Sequence, residues 1–331
     1  MPIGLLSQCK KGNIAYITPT VDVIVSPDAS SNSTVVTTSD VENQCDLHSI
    51  CIIPFGITFE VTSSLNVGAL VVQGNVEWTD TTQTSSDVYL CAGYVAIEGN
   101  GNWNMKVEDK TAWVYIKDNG AEHPILRTRA FGSVANDVVA YPVVNIEGRE
   151  LVRTWSLLSH PLATGETTMK LLHNPDLMGW KVGDRIGVAP TRQRSEGSSA
   201  EFRIQSIDAD GTIALSHSSP DNFDAEFIAP VNEGGKPALK SAEVVNLDRS
   251  IVITGDDFTH IPCDSTLPEA IPGEQTSTLG CRCASFRSQC TMGLHSAHMF
   301  QGITRIQNTR IEKCGQRGKM RSSFYFFNSQ Q

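Results

Sequence analysis

The chain of 331 residues is 40% hydrophobic and 19% charged, ordinary globular figures that exclude wholesale disorder. Its net charge of −10 is uneven: residues 281–331 hold eight Lys/Arg against Glu312 alone, or +7, while 1–280 hold 18 basic and 35 acidic residues, or −17. No apolar run approaches the ~18 residues of a membrane-spanning helix, the sparse aromatics lack the basic interleaving of a nucleic-acid platform, and there is no Gly-x-Ser-x-Gly nucleophile turn.

Residues 1–50 are rich in Ser, Thr, Asn and Asp, with short strand-like runs such as 21–25, and predict an N-terminal strand-and-loop cap. Met1 to Thr20 has no basic start and apolar core of a secretory leader, although the cysteines suggest export; the expectation is an incomplete N-terminus. Asn32-Ser33-Thr34 is a glycosylation sequon in a loop, which makes Asn32 a candidate glycan site. Nine cysteines are many for a cytosolic protein of this length. Cys45 and Cys51, six apart across a polar turn, are a candidate local bridge. Cys281, Cys283, Cys290 and Cys314 crowd the C-terminal part, and Cys9 and Cys91 stand apart from both groups.

From Ile57 onward the pattern is strand and turn. Val71-Val72-Gln73-Gly74, Val95-Ala96-Ile97-Glu98-Gly99, Val143-Val144-Asn145-Ile146-Glu147-Gly148 and Ile251-Val252-Ile253-Thr254-Gly255 share one grammar: a β-branched run, a polar residue, a glycine. Gly74 to Gly99 is 25 residues and Gly99 to Gly148 is 49, about two such steps. A period near 25 with one strand and one corner predicts a β-solenoid, in which each coil buries its inner face against its neighbours. Val72, Ile97, Ile146 and Ile253 are the expected inward residues. No helical period of useful length appears, so the chain is expected to be all-β.

Between these strands, residues 165–240 read as a small antiparallel β insertion. Trp180-Lys181-Val182-Gly183-Asp184 turns into a strand, and Asp208-Ala209-Asp210-Gly211 is a strong hairpin turn between two apolar runs. Residues 241–331 return to the coil rhythm.

Five groups of residues, in this order, carry a resemblance: Gly148-Arg149; Trp155-Ser156-Leu157-Leu158; Gly165-Glu166-Thr167-Thr168; Trp180-Lys181-Val182-Gly183-Asp184-Arg185-Ile186 with Thr191; and Ala242-Glu243-Val244 with Leu247-Asp248-Arg249-Ser250-Ile251. Together they resemble the G8-domain family of fibrocystins, the cell-surface hyaluronidase and the cell-migration-inducing hyaluronan-binding protein. The resemblance implies a G8 domain over 51–164 and the truncated start of a right-handed parallel β-helix over 241–331. It departs at Arg249-Ser250, where the family usually has Arg-Asn. After Cys314-Gly315-Gln316-Arg317-Gly318 it departs again, because Met320 to Phe327 stands where a His-rich run is common.

Two function classes follow. The fibrocystin branch implies a secreted or cell-surface recognition module for glycan or extracellular protein ligands, with any membrane anchor outside this chain. The hyaluronidase branch implies a glycosaminoglycan depolymerase. Under the second, Asp256 or Asp257 with His260 or His298 are the candidate acid and base, since glycoside hydrolysis needs two titrating groups across one bond. Asp256 and Asp257 are adjacent in an extended chain, point to opposite faces and cannot pair with each other; a turn whose side chains bond its own backbone is the plainer expectation. Arg249, Arg305 and Arg310 are candidate ligand-binding residues, with forked donors suited to carboxylates. Cys281-x-Cys283-x6-Cys290-x4-His295-x2-His298 matches no zinc spacing, so neither metal nor cofactor is expected. Lost histidines and the −17 body favour the non-catalytic class.

Overall fold

The computed structural model describes residues 9, 17–27, 33–191, 199–228, 238–256, 259–262, 289–315 and 324–326, the side chains of 227–228, 259–262, 289–292 and 324–326 excepted. The chain is all-β and divides into two compact units, Met1–Arg149 with Arg249–Gln331, and Glu150–Asp248.

The first unit contains three sheets of parallel strands. Sheet A stacks Val21–Ile24, Ser49–Ile53, Ala69–Val72, Val95–Glu98, Ala130–Val134, His295–Met299 and Phe324–Phe326. Sheet B stacks Val35–Thr37, Thr58–Glu60, Asn75–Thr79, Asn102–Val107, Val143–Gly148 and Ile303–Gln307. Sheet C stacks Leu65–Asn66, Asp87–Ala92, Thr111–Ile116, Ile251–Gly255 and Thr309–Ile311. From Ser49 the chain visits A, B and C in rotation, and each return to a sheet pairs in parallel with the strand of the previous circuit.

Register turns this order into aligned columns. Ile53, Val72 and Ile97 sit above one another in sheet A; Phe59, Val76, Trp103 and Val144 do so in sheet B, and Leu65, Leu90, Val114 and Ile253 in sheet C. All belong to one apolar cluster with at most 2% exposure, so the inner faces of the three sheets share a core. The expected inward residues Val72, Ile97, Ile146 and Ile253 are all members. Alternation along each strand sends the intervening residues outward.

The shared glycine-ended grammar has a different meaning from the one its spacing suggests. The runs ending at Gly74 and Gly99 do stack, Val72 on Ile97, but both lie in sheet A; the run ending at Gly148 lies in sheet B and that ending at Gly255 in sheet C. Glycine marks a corner on any sheet. At Gly74 the reason is space: a Cβ there would lie 2.3 Å from the carbonyl oxygens of both Pro54 and Ile57 on the preceding turn.

Residues 38–44, read as part of a strand-and-loop cap, form a short helix, Thr38–Gln44. The Asp40 carboxylate takes the Thr37 backbone N–H at 2.7 Å and its hydroxyl at 2.8 Å, an N-terminal cap of Thr-x-x-Asp form.

The second unit is an antiparallel sheet of six strands in the order Trp155–Leu157, Glu243–Asn246, Arg185–Val188, Ala200–Ile207, Thr212–Leu215 and Thr168–Lys170. Its two edge strands meet through Ser159 N–H to Lys170 O at 2.8 Å and Leu172 N–H to Leu157 O at 2.9 Å, which closes the sheet into a barrel around Leu158, Ile186, Phe202 and Ile213. The unit begins at Glu150 because Trp155–Leu157 pairs with Glu243–Asn246, at the far end of the segment. The Asp208–Gly211 turn forms as expected, with Gly211 at φ +81° donating to Asp208 O at 2.8 Å.

Candidate functional site

His298 occupies the inward column of sheet A that carries Ile53, Val72 and Ile97, one strand beyond Ser133. It is 7% exposed; its Nδ1 is 2.9 Å from the Ser133 hydroxyl and its Nε2 3.1 Å from that of Ser296, itself aligned with the core residue Phe131. Burial pushes the imidazole pKa down to about 4, so the ring is neutral at physiological pH. An uncharged ring with hydroxyl partners on both nitrogens is a core histidine whose polar atoms are satisfied.

Asp256 follows the sheet C strand Ile251–Gly255 and is 5% exposed. Its carboxylate accepts the Tyr115 hydroxyl and, at 2.7 Å, the Asp118 backbone N–H. Both partners belong to the preceding circuit, 141 and 138 residues earlier, so the carboxylate bonds across circuits rather than to its own turn. Tyr115 lies with Cys9 and Cys91 in an outer cluster apart from the main core. His298 thus faces into the core and Asp256 bonds on the outside of sheet C; the structure does not present them to a common space.

Around Asp256 stand charged groups that sequence reasoning missed. Lys117 is 2% exposed, and its ammonium donates to Asn66 Oδ1 at 2.8 Å and Val67 O at 2.6 Å. Burial lowers its pKa to about 8, an effect the nearby Asp256 charge partly offsets. Arg129, also 2% exposed, pairs with Asp118. The signal was faint: Tyr-Ile-Lys-Asp continues a strand, and only the register to Ile251–Gly255 brings the lysine beside Asp256. This network ties successive circuits together where sheet C ends.

The candidate arginines separate. Arg305 is exposed on the outside of sheet B, in register with Asn145. Arg310 lies outward on sheet C, 5.7 Å from the Trp113 ring centroid and 3.4 Å from Glu312, a cation held on a buried aromatic. Arg249 precedes the sheet C strand. Its neighbour Ser250 donates to Val107 O at 2.6 Å and accepts the Arg149 N–H at 2.6 Å, which makes it a corner fastener.

The outer face of sheet B is a polar ladder. Asn145 Nδ2 donates to Asn104 Oδ1 at 3.1 Å, and Asn104 Nδ2 to Glu77 Oε2 at 2.7 Å, along the column that ends at Arg305. The outward Asn102 and Asn104 alternate with the core residues Trp103 and Met105.

Cys45 and Cys51 form a disulfide, as their spacing suggests. Cys9 and Cys91 form a second, which no local spacing announced. Cys314 is a free thiol. Asn32, Asp257, Cys281 and Cys283 lie outside the described residues. His260 and Cys290 are described in backbone only, on the antiparallel strands Thr259–Pro262 and Gln289–Met292. Among the described residues there is no group of three or more metal-ligating side chains, and no helix is long and apolar enough to cross a membrane.

No family model matches the chain. Over 134 residues, 40% of its length, it is 28% identical to Fibrocystin-L of Mus musculus, and the matched stretch covers 3% of that much longer protein. The chain is therefore similar, in part, to a small portion of a fibrocystin.

Proposed function

We propose that this chain is part of an extracellular recognition module of the fibrocystin-like, G8-domain type, which binds glycan or protein ligands and does not cleave them. Its three parallel sheets, visited in rotation, would wind as a right-handed β-helix, the hand that parallel crossovers favour. The partial similarity to Fibrocystin-L supports the relationship, and two disulfides in the first unit support an oxidising compartment.

One observation carries the non-catalytic reading. His298 is directed into the core and Asp256 is engaged outside sheet C, whereas glycoside hydrolysis needs two titrating groups flanking one bond. Incubating the protein with high-molecular-weight hyaluronan and following chain length tests it. The expected result is unchanged length; shortening that Asp256→Asn abolishes would make the chain a depolymerase.

A further inference from the structure

We propose that the outer face of sheet B, with Tyr141 and Phe300 on the turns leading into it, is a binding strip for a neutral oligosaccharide; this rests on, and sharpens, the recognition reading above. Tyr141 and Phe300 are 55% and 50% exposed. They lie on the turns preceding Val143–Gly148 and Ile303–Gln307, strands that pair directly. The two turns are fastened by Gln301 Nε2 to Val138 O at 2.8 Å and Ile303 N–H to Pro142 O at 2.9 Å. A single exposed aromatic needs no explanation, but two on neighbouring turns beside a rigid polar face do.

Phe300 adds an independent sign. Its φ of +69° is a left-handed conformation that a bulky side chain rarely holds. Strained backbone that presents an exposed aromatic is the kind of feature retained at binding sites.

The ladder supplies the polar half. Asn145 and Asn104 each use one amide N–H within the ladder and keep a second, and Glu77 keeps its other carboxylate oxygen. These groups are fixed on strands about 4.8 Å apart, and the three strands that carry Glu77, Asn104 and Asn145 span about 10 Å across the sheet. That reach suits an oligosaccharide more than one sugar. An apolar C–H face of a pyranose covers an aromatic ring, while the next rings offer hydroxyls that both donate and accept. Charge offers a polyanion no net attraction here: the column carries Glu60 and Glu77 against Arg305.

The test is biolayer interferometry of the whole protein against immobilised tetrasaccharides of mannose, glucose and N-acetylglucosamine, with a hyaluronan tetrasaccharide as the acidic comparison. At least one neutral tetrasaccharide should bind, and Tyr141→Ala and Phe300→Gly should each weaken it tenfold or more. Leu177→Ala, an exposed position in the second unit, should change nothing. Phe300→Gly relieves the left-handed strain, so its loss of binding should come without a fall in melting temperature, which separates recognition from misfolding. Neutral binding that both variants retain overturns the site. Binding of the hyaluronan fragment alone overturns the neutral class but leaves the recognition reading intact. Binding of none of the four overturns this inference, and leaves only the protein-ligand arm of that reading.

Discussion

The two disulfides close loops of very different length, and that difference sets a measurable hierarchy. Cys9–Cys91 spans 82 residues and Cys45–Cys51 spans 6. Loop-closure entropy gives about 4.5 kcal/mol for the long bridge and about 2.2 kcal/mol for the short one. All four cysteines are at most 5% exposed, so paired alanine substitutions leave comparable small voids, and those terms nearly cancel in the comparison. Cys9→Ala/Cys91→Ala should therefore cost about 2 kcal/mol more than Cys45→Ala/Cys51→Ala. Tryptophans occur in both units, Trp78, Trp103 and Trp113 in one, Trp155 and Trp180 in the other, so bulk fluorescence would mix two transitions. Hydrogen exchange on the sheet C strands Asp87–Ala92 and Thr111–Ile116, followed against urea, isolates the first unit. Equal losses, or a larger loss from the short bridge, would refute the reasoning: the N-terminal segment would then not be anchored at Cys91.

Three further outcomes are expected. Gly132→Ala places a Cβ 2.1 Å from the Ala297 carbonyl oxygen of the next strand and should cost about 2–3 kcal/mol in urea unfolding, whereas Gly56→Ala, at φ +83° with open space around it, should cost about 1 kcal/mol. Lys117, with its pKa lowered to about 8, binds its proton more weakly folded than unfolded; its contribution is complete above the unfolded value near 10.5 and is lost as pH falls through 8. Stability should thus rise from pH 8 to 10 by about 2–3 kcal/mol, and Lys117→Met should flatten that rise. Asp184, 6% exposed, accepts Asn246 Nδ2 at 2.7 Å and the Lys181 N–H at 2.9 Å; Asp184→Ala should cost about 3 kcal/mol, read as faster exchange in Arg185–Val188 with Thr111–Ile116 unchanged.

What could be read from the sequence was what local sterics control. Val72 over Ile97 was legible because both runs end at a corner 25 residues apart, the separation of Gln73 and Glu98, whose side chains bond across that step at 3.2 Å. Which sheet a run joins was not legible, since the corners of all three sheets impose the same demand for glycine; Val143–Gly148 and Ile251–Gly255 were therefore placed on a common repeat when they lie in sheets B and C. Cys45–Cys51 was visible in a six-residue spacing, while Cys9–Cys91 depends on the whole path between them. Asp256 looked like a self-bonded turn because its partners, Tyr115 and Asp118, are reached only when Ile251–Gly255 returns to pair with Thr111–Ile116 after the second unit. The alignment of Asn104 and Asn145 with Arg305 required the register.

The state of His298 tests most directly the claim that the residues with catalytic appearance are structural. Its ring can be followed by NMR through an acid titration of the folded protein, with His298→Ala to assign the signal. The account predicts a pKa of about 4, because burial disfavours the imidazolium. Its stability contribution should then be complete above the unfolded pKa near 6.5 and be lost by about 3 kcal/mol as pH falls to 4. A histidine that titrates near 6.5 or above, with no such loss on acidification, would be open to solvent and ready for acid–base work, and would contradict the account.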